Sequence, residues 1–376
     1  MRRTAFCALF LAAALQSSAQ TAPTTPSELP KDSRELHAMT APPASTLPED
    51  PRAFFETAVP HYDFSDAKLK PWHLRATYQL YDYEGKPTVQ GVWEYWWASP
   101  KVRRRSWERT DLTQTDWITQ DGTEFRKQSG EPLHYFERRL EDIILYPGPN
   151  YEAINSGKLK LNLRVEGEGS ASLICLTTTR QREVDGKLQA PPQTTPDYYC
   201  FDPGTMALMT TYSNNCLSQY SEFAKMQNHY IARQISVQMG QQTMLTVSVE
   251  SIDWIKETDP AFIRATDAVP TWHRAHYTSD SPPPERVTRG KLVNKVPPVY
   301  PAGSNSQHTQ GEVILAGAIG TDGKVHNLEV LSSPSELLAE SAIDAVKQWQ
   351  FEPFTLHDEP IEVETTFPVM FSPGSR

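Results

Sequence analysis

Histidine, cysteine, serine and carboxylate side chains carry most acid–base, nucleophilic and metal chemistry, and in this 376-residue chain they do not converge. His61, His73, His134 and His229 are scattered through the middle, and His308, His326 and His357 lie near the end. There is no HExxH pair, no G-x-S-x-G elbow and no glycine loop of the phosphate-binding kind. Gly167-Glu168-Gly169-Ser170 differs from the elbow, because its second glycine directly precedes the serine and none follows at +2. Glu141 and Asp142 are adjacent, but the run Glu137 to Asp142 reads as a solvated helix face, with Arg138 and Arg139 as partners three or four residues away. The expectation is a non-enzymatic protein with no catalytic residues, no metal and no cofactor.

The cysteines suggest oxidising surroundings. Beyond Cys7, three remain, Cys175, Cys200 and Cys216, without CxxC or metal-ligand spacing. Cys175 and Cys200 fall on consecutive predicted strands, and antiparallel neighbours bring Cα atoms to disulfide distance. A Cys175–Cys200 disulfide is expected, with Cys216 free or paired between chains; Cys200–Cys216 is the alternative.

Aromatic residues are dense at Trp72, Trp93, Tyr95, Trp96, Trp97, Trp107 and Trp117. One reading is core and sheet-surface packing. The sharper one makes Trp93, Tyr95, Trp96 and Trp97 the wall of an apolar cavity for a lipid-like hydrophobic ligand, because large rings on both faces of one strand must meet something besides water. The basic run Lys101-Val102-Arg103-Arg104-Arg105 alternates between strand faces, so it makes no continuous patch; it reads as solvated and paired with Glu108 or Asp111. With a net charge of −10, a nucleic-acid partner is disfavoured.

These residues need a scaffold, and residues 53–266 supply strand-like runs. They fall at His73–Tyr83, Thr88–Ala98, Val102–Thr110, Thr115–Gln120, Lys158–Glu166, Ala171–Thr179, Asp197–Phe201, Met206–Tyr212, Ile231–Gln238 and Met244–Trp254. One helix, Leu133–Leu145, interrupts them. Many antiparallel strands with one helical insertion predict an α+β chain whose larger part is a curved antiparallel sheet or half-barrel. This order loosely resembles the Lol-type lipoprotein carriers, in which a curved sheet closes over helices and holds acyl chains.

The last quarter, residues 290–376, has the sharpest signals. Pro298-Val299-Tyr300-Pro301 leads into an extended run Glu312–Ile319, the turn Asp322-Gly323 and a return strand Lys324–Leu331. Asp-Gly predicts a type I′ turn. Ser333-Pro334-Ser335-Glu336 predicts a capping box on Ser333, opening a helix that puts Leu338, Ala342, Ala345, Val346 and Trp349 on one stripe. Pro353 stops it, and a last strand runs from about Ile361 to Phe371. Together with Gly311-Glu312-Val313, Ile319-Gly320-Thr321-Asp322-Gly323-Lys324-Val325, Trp349-Gln350-Phe351-Glu352-Pro353 and Phe367-Pro368-Val369-Met370-Phe371, this stretch resembles the C-terminal domain of the TonB energy transducer. The resemblance implies a small sheet with helices on one side that binds a segment of an outer-membrane transporter, or of another envelope protein, by strand addition. It places partner binding at Tyr300, Pro301, Glu362, Val363, Glu364, Thr365, Thr366 and Phe367. It also suggests that two copies pair through the same edge, giving a homodimer.

The remaining segments set location. Met1-Arg2-Arg3, an apolar stretch from Ala5 to Leu15 and the small residues Ser17-Ser18-Ala19 read as a signal peptide, residues 1–19, and predict a periplasmic protein. The apolar stretch is shorter than the about 20 residues that span a bilayer, which departs from the anchored transducer. Residues 20–52 read as a Pro/Thr/Ser-rich linker and residues 267–289 as a second linker that lets the two units move independently.

Overall fold

The computed structural model describes residues 49–372 except 65–67, 150–153, 156, 158, 168–171, 185–186, 190–195, 214, 272–274, 277–286, 302–309 and 357. The expected signal peptide and most of the first linker lie outside the described residues. No helix among the described residues is long and apolar enough to cross a membrane.

The chain is mostly β, and its largest element is an open antiparallel sheet. Five strands form a meander: β1 (Trp72–Tyr81), β2 (Pro87–Ser99), β3 (Val102–Arg109), β4 (Leu112–Ile118) and β5 (Glu124–Gly130). Then follow β6 (Leu159–Glu166), β7 (Leu173–Arg180), β8 (Asp197–Phe201), β9 (Leu208–Ser213), β10 (Cys216–Met226), β11 (His229–Met239) and β12 (Gln242–Trp254). The order across the sheet is β5-β4-β3-β2-β1-β12-β11-β10-β9-β8-β7-β6, and the pair Val269–Pro270 extends it beyond β5. The first and last long strands therefore meet at the centre, β1 on β12 from Trp72↔Trp254 to Leu80↔Leu245. Strict alternation makes this seam: Trp72, Leu74, Ala76, Tyr78 and Leu80 are buried, with half-exposed residues between them.

Two strands escape the sequence reading. β5, Glu-Phe-Arg-Lys-Gln-Ser-Gly, carries one large apolar residue, and its pairing with β4 rests on Asp116↔Arg126 instead of apolar alternation. β10 is masked by its serines and charges. A helix, α1 (Pro51–Ala58), starts where the sequence suggests a linker: Asp50 accepts from the Ala53 N–H at 2.8 Å, Pro51 takes the first position, and Phe54, Phe55 and Ala58 are buried. Phe54 meets Phe201 edge-on at 5.4 Å. The helical insertion is two short helices, α2 (Tyr135–Arg138) and α3 (Leu140–Leu145). They break at Arg139, whose guanidinium turns back to donate to the Tyr135 hydroxyl at 2.9 Å.

The C-terminal sheet has the order Ala275–His276, β15, β13, β14, where β13 is Gly311–Ile319, β14 is Val325–Ser332 and β15 is Val363–Phe371. Helix α4 (Glu336–Val346) covers one face and buries Leu338, Ala342, Ala345 and Val346. Its cap is Ser335, which accepts from the Leu338 N–H at 3.3 Å, whereas Ser333 hydrogen-bonds Ser335 from outside the helix. The β13–β14 turn also departs from the expected type I′. Gly323 alone takes positive φ, +78°, and its N–H reaches the Gly320 carbonyl at 2.9 Å, a wider turn ending in a left-handed glycine. A Cβ on Gly323 would sit 2.0 Å from the Phe351 carbonyl oxygen. Gly323→Ala is expected to cost more than about 1 kcal/mol in urea unfolding; an unchanged midpoint refutes this account of the turn.

The linker between the units is pinned at both ends. Val269–Pro270 pairs with β5 at Arg126 and Phe125, the Thr271 N–H donates to the Glu124 carbonyl at 2.8 Å, and Val287–Thr288 pairs with Thr355 and Leu356. The face of the C-terminal sheet away from α4 also contributes Ala316 and Leu331 to the apolar cluster that contains Leu133, Tyr135 and Phe136. The two units are therefore in contact, unlike the independent arrangement suggested by a Pro-rich linker.

Candidate binding edge and its surroundings

Strand β15 is built from two residue sets. Val363, Phe367, Val369 and Phe371 face α4 and share its core, with Trp349 edge-on to Phe367 at 6.0 Å. Glu364, Thr366, Pro368 and Met370 alternate with them. On one side β15 pairs with β13 along its whole length, from Ile319↔Val363 to Gly311↔Phe371. On the other side, among the described residues, its only strand neighbour is Ala275–His276, parallel, at Val363 and Glu364. Proline has no N–H to give a ladder, so Pro368 belongs where its nitrogen faces away from β13. Backbone groups alternate sides along a strand, so Glu364 and Thr366 present theirs to the outer edge as well.

The other residues expected at a partner site flank this strand. Tyr300 meets Phe371 edge-on at 6.0 Å, at the far end of β15, and Pro301 follows it. The approach to Tyr300 is fixed by hydrogen bonds from the Trp349 indole to the Val296 carbonyl, 2.8 Å, and from Ser341 to the Val299 carbonyl, 2.5 Å. Glu362 immediately precedes β15.

The start of β15 is gripped from the middle of the chain. Arg138 of α2 makes an ion pair with Glu364 at 2.9 Å, and Glu364 is 6% exposed. Glu329 of β14 accepts from the Tyr135 N–H at 3.0 and 3.1 Å and lies 3.3 Å from the His134 ring. The hydrogen bond to Glu329 raises the His134 pKa, against the opposing effect of burial. A raised folded-state value means that His134 stabilises the docked arrangement fully below its unfolded pKa, near 6.5, and that this contribution is lost as pH rises through the folded value. The gap in thermal midpoint between wild type and His134→Ala is therefore expected to narrow from pH 6 to pH 8; a constant gap overturns this reading.

The aromatic strand lies elsewhere. Trp93, Tyr95 and Trp97 are wholly buried in one cluster with Phe64, Leu140, Ile144 and Leu145. Trp72 stacks on Tyr95 at 5.4 Å and on Trp97 at 6.2 Å. Trp96 points to the opposite face, between the His73 ring at 4.4 Å and the Arg104 guanidinium at 4.0 Å. The indole N–H groups of Trp72, Trp93 and Trp97 are buried and meet no acceptor among the described residues.

Charged residues read as solvated prove to be internal. Arg105 binds Asp116 at 3.2 Å, Glu124 at 3.0 Å and Glu141 at 2.7 Å, and Arg126 adds a second contact to Asp116 at 2.7 Å. Burial alone pushes the Glu141 carboxyl up, but Arg105 and Arg103 beside it pull it down overall. Glu137 is fully buried and binds Arg109 at 2.5 Å. Neither the Arg103–Arg105 run nor the Glu137–Asp142 run is a solvated face. The ion-pair partners of Arg105 and Glu137 come from other strands and helices, and Arg109 also contacts the exposed Asp111. Cys175 and Cys200, opposite each other on β7 and β8, form a disulfide, and Cys216 is free, its thiol pushed up to about 11 by burial. No group of three or more metal-ligating side chains occurs among the described residues.

Comparison with solved structures returns matches that include the following three. A LolA superfamily protein from Nitrosomonas europaea is 10% identical, covering 56% of this chain and 97% of its own, with a TM-score of 0.37. A DUF1329 family protein from Desulfovibrio piger is 14% identical, covering 55% and 93%, with a TM-score of 0.36. A lipoprotein-sorting protein domain from Vibrio parahaemolyticus is 6% identical, covering 49% and 85%, with a TM-score of 0.30. None of the curated proteins compared matches the chain. The stretch 296–373, which holds β13, β14, α4 and β15, matches the family described as Gram-negative bacterial TonB protein C-terminal.

Proposed function

We propose that this is an exported envelope protein, non-enzymatic and periplasmic, whose C-terminal domain takes up an extended segment of a partner along the outer edge of β15. The observation that carries the reading is the unpaired side of β15 beyond Glu364 among the described residues, in a stretch that matches the TonB C-terminal family. An open strand edge offers N–H and C=O groups that only another extended chain satisfies in sequence. Glu362, Val363, Glu364, Thr365, Thr366 and Phe367 receive the partner, Pro368 ends its ladder, and Tyr300 and Pro301 border it. The family match supports the N-terminal segment of an outer-membrane transporter as the partner. Self-association through the same edge is the competing use.

The test is titration of the protein with a synthetic transporter-segment peptide and with the same peptide N-methylated at alternate backbone amides. Strand addition requires loss of binding by about tenfold or more on methylation, since each lost ladder bond counts. Equal binding of both peptides excludes the mechanism without altering the protein.

A second reading rests on the three indole N–H groups of β1 and β2 that meet no acceptor among the described residues. In this reading a lipid-like ligand bearing acceptor oxygens satisfies them from within the large sheet. A stoichiometric hydrophobic molecule in an organic extract of native protein supports it, and an empty extract removes it.

A further inference from the structure

The linker residues Ala275 and His276 lie parallel to β15, opposite Val363 and Glu364, on the same edge assigned above to an incoming segment. They belong to the stretch that joins the two units, anchored before them by Val269–Pro270 on β5 and after them by Val287–Thr288 on Thr355 and Leu356. The Glu364 opposite His276 is also the residue that Arg138 of α2 holds from the other unit.

Resting on the strand-addition reading, we propose that this linker segment is a built-in occupant of the β15 edge, which an incoming partner strand must displace. Three features support it. The pairing is intramolecular, so the occupant competes at an effective concentration set by its tethers and not by the solution. Among the described residues it makes two residue pairs, and a partner that adds further rungs toward Pro368 outcompetes it. Its rungs include the residue at which the two units dock, so displacement and docking involve one carboxylate, Glu364. The occupant also reduces the risk that an open edge poses for pairing between copies of the chain.

A covered edge weakens partner binding by the reciprocal of the fraction of time it stands open. An edge covered nine-tenths of the time binds its partner about tenfold more weakly than a bare one. The occupancy itself can be measured without a partner. In wild-type protein, the Glu364 amide should exchange slowly with deuterium. In the variant Ala275→Pro with His276→Pro, which removes two N–H groups from the linker, Glu364 should exchange at least about fivefold faster. The amides of Thr365 and Phe367, which face β13, should keep their protection in both proteins and so report that the domain remains folded. Unchanged Glu364 exchange with those controls intact overturns the inference. Loss of protection at all three sites calls for Ala275→Gly with His276→Gly in the same measurement, which weakens the rung without proline strain; unchanged Glu364 exchange there also overturns it. Titration of the wild type and the folded variant with the transporter-segment peptide then separates the two claims. Tighter binding by the variant supports displacement. Equal binding by both overturns competition by the occupant. No binding by either, with faster Glu364 exchange in the variant, refutes the transporter reading and leaves the occupancy in place.

Discussion

Glu137→Ala is expected to destabilise the protein by about 3–5 kcal/mol, a large fraction of the about 5–15 kcal/mol that holds a typical domain folded. Glu137 is fully buried and accepts hydrogen bonds from Arg109 at 2.5 Å, from the His134 N–H at 2.7 Å and from the Tyr78 hydroxyl. The Arg109 side chain is 2% exposed. Removing the carboxylate leaves that guanidinium with the Pro132 carbonyl at 3.1 Å and with Asp111, whose side chain is 56% exposed. The cost is mainly that of a buried cation stripped of its buried counter-ion. Asp111→Ala, which removes only the exposed partner, should cost no more than about 1 kcal/mol. Replacing Arg109 and Glu137 together by methionine should recover much of the loss, because an apolar pair of similar volume needs no compensation. Denaturant unfolding of the four proteins decides this: a Glu137→Ala loss under about 1 kcal/mol refutes the account. Glu137 also caps the helix that carries His134 and Arg138, so the variant should loosen the docking at Glu329 and Glu364.

The C-terminal domain was legible because its information is local. β13 is an apolar run and β15 largely alternates, α4 has a 3.6-residue apolar stripe, and prolines and glycines mark the boundaries, their backbone restriction acting within a few residues. Even there the details shifted by two residues, from Ser333 to Ser335 at the cap, because several hydroxyls competed for one role. The long strands of the large sheet could be read for the same reason, while β5 and β10 could not, since cross-strand ion pairs and half-buried polar residues leave no period. The charged runs misled more seriously. Arg103–Arg105 and Glu137–Asp142 look solvated when each is judged by its neighbours in sequence. Their burial depends on Arg105 meeting Glu124 and Glu141, contacts across 19 and 36 positions. The rung of Ala275–His276 on β15 is equally silent in sequence: two residues in a polar, proline-rich stretch carry no pattern.

The aromatic strand supplies the second large effect. Trp97→Ala is expected to cost about 3–5 kcal/mol if the rings are a packed core, because the surrounding sheet and helices relax only partly into the void. Trp97 is fully buried, and its neighbour Trp72 would lose a stacking partner at 6.2 Å. Trp96, on the same strand but on its opposite face between His73 and Arg104, serves as the internal comparison. Trp96→Ala should cost less, about 2–3 kcal/mol, since Trp96 is 9% exposed and its ring is sandwiched by the His73 and Arg104 side chains, which can relax over the void. Trp97→Phe adds the discriminating measurement. Phenylalanine loses volume but also removes a buried N–H that meets no protein acceptor among the described residues, so in a packed core its cost should fall well below that of alanine. If a ligand oxygen accepts from that N–H, Trp97→Phe should instead lower the amount of hydrophobic molecule extracted from native protein. A Trp97→Ala loss no larger than that of Trp96→Ala would mean that the rings line open space and not a core.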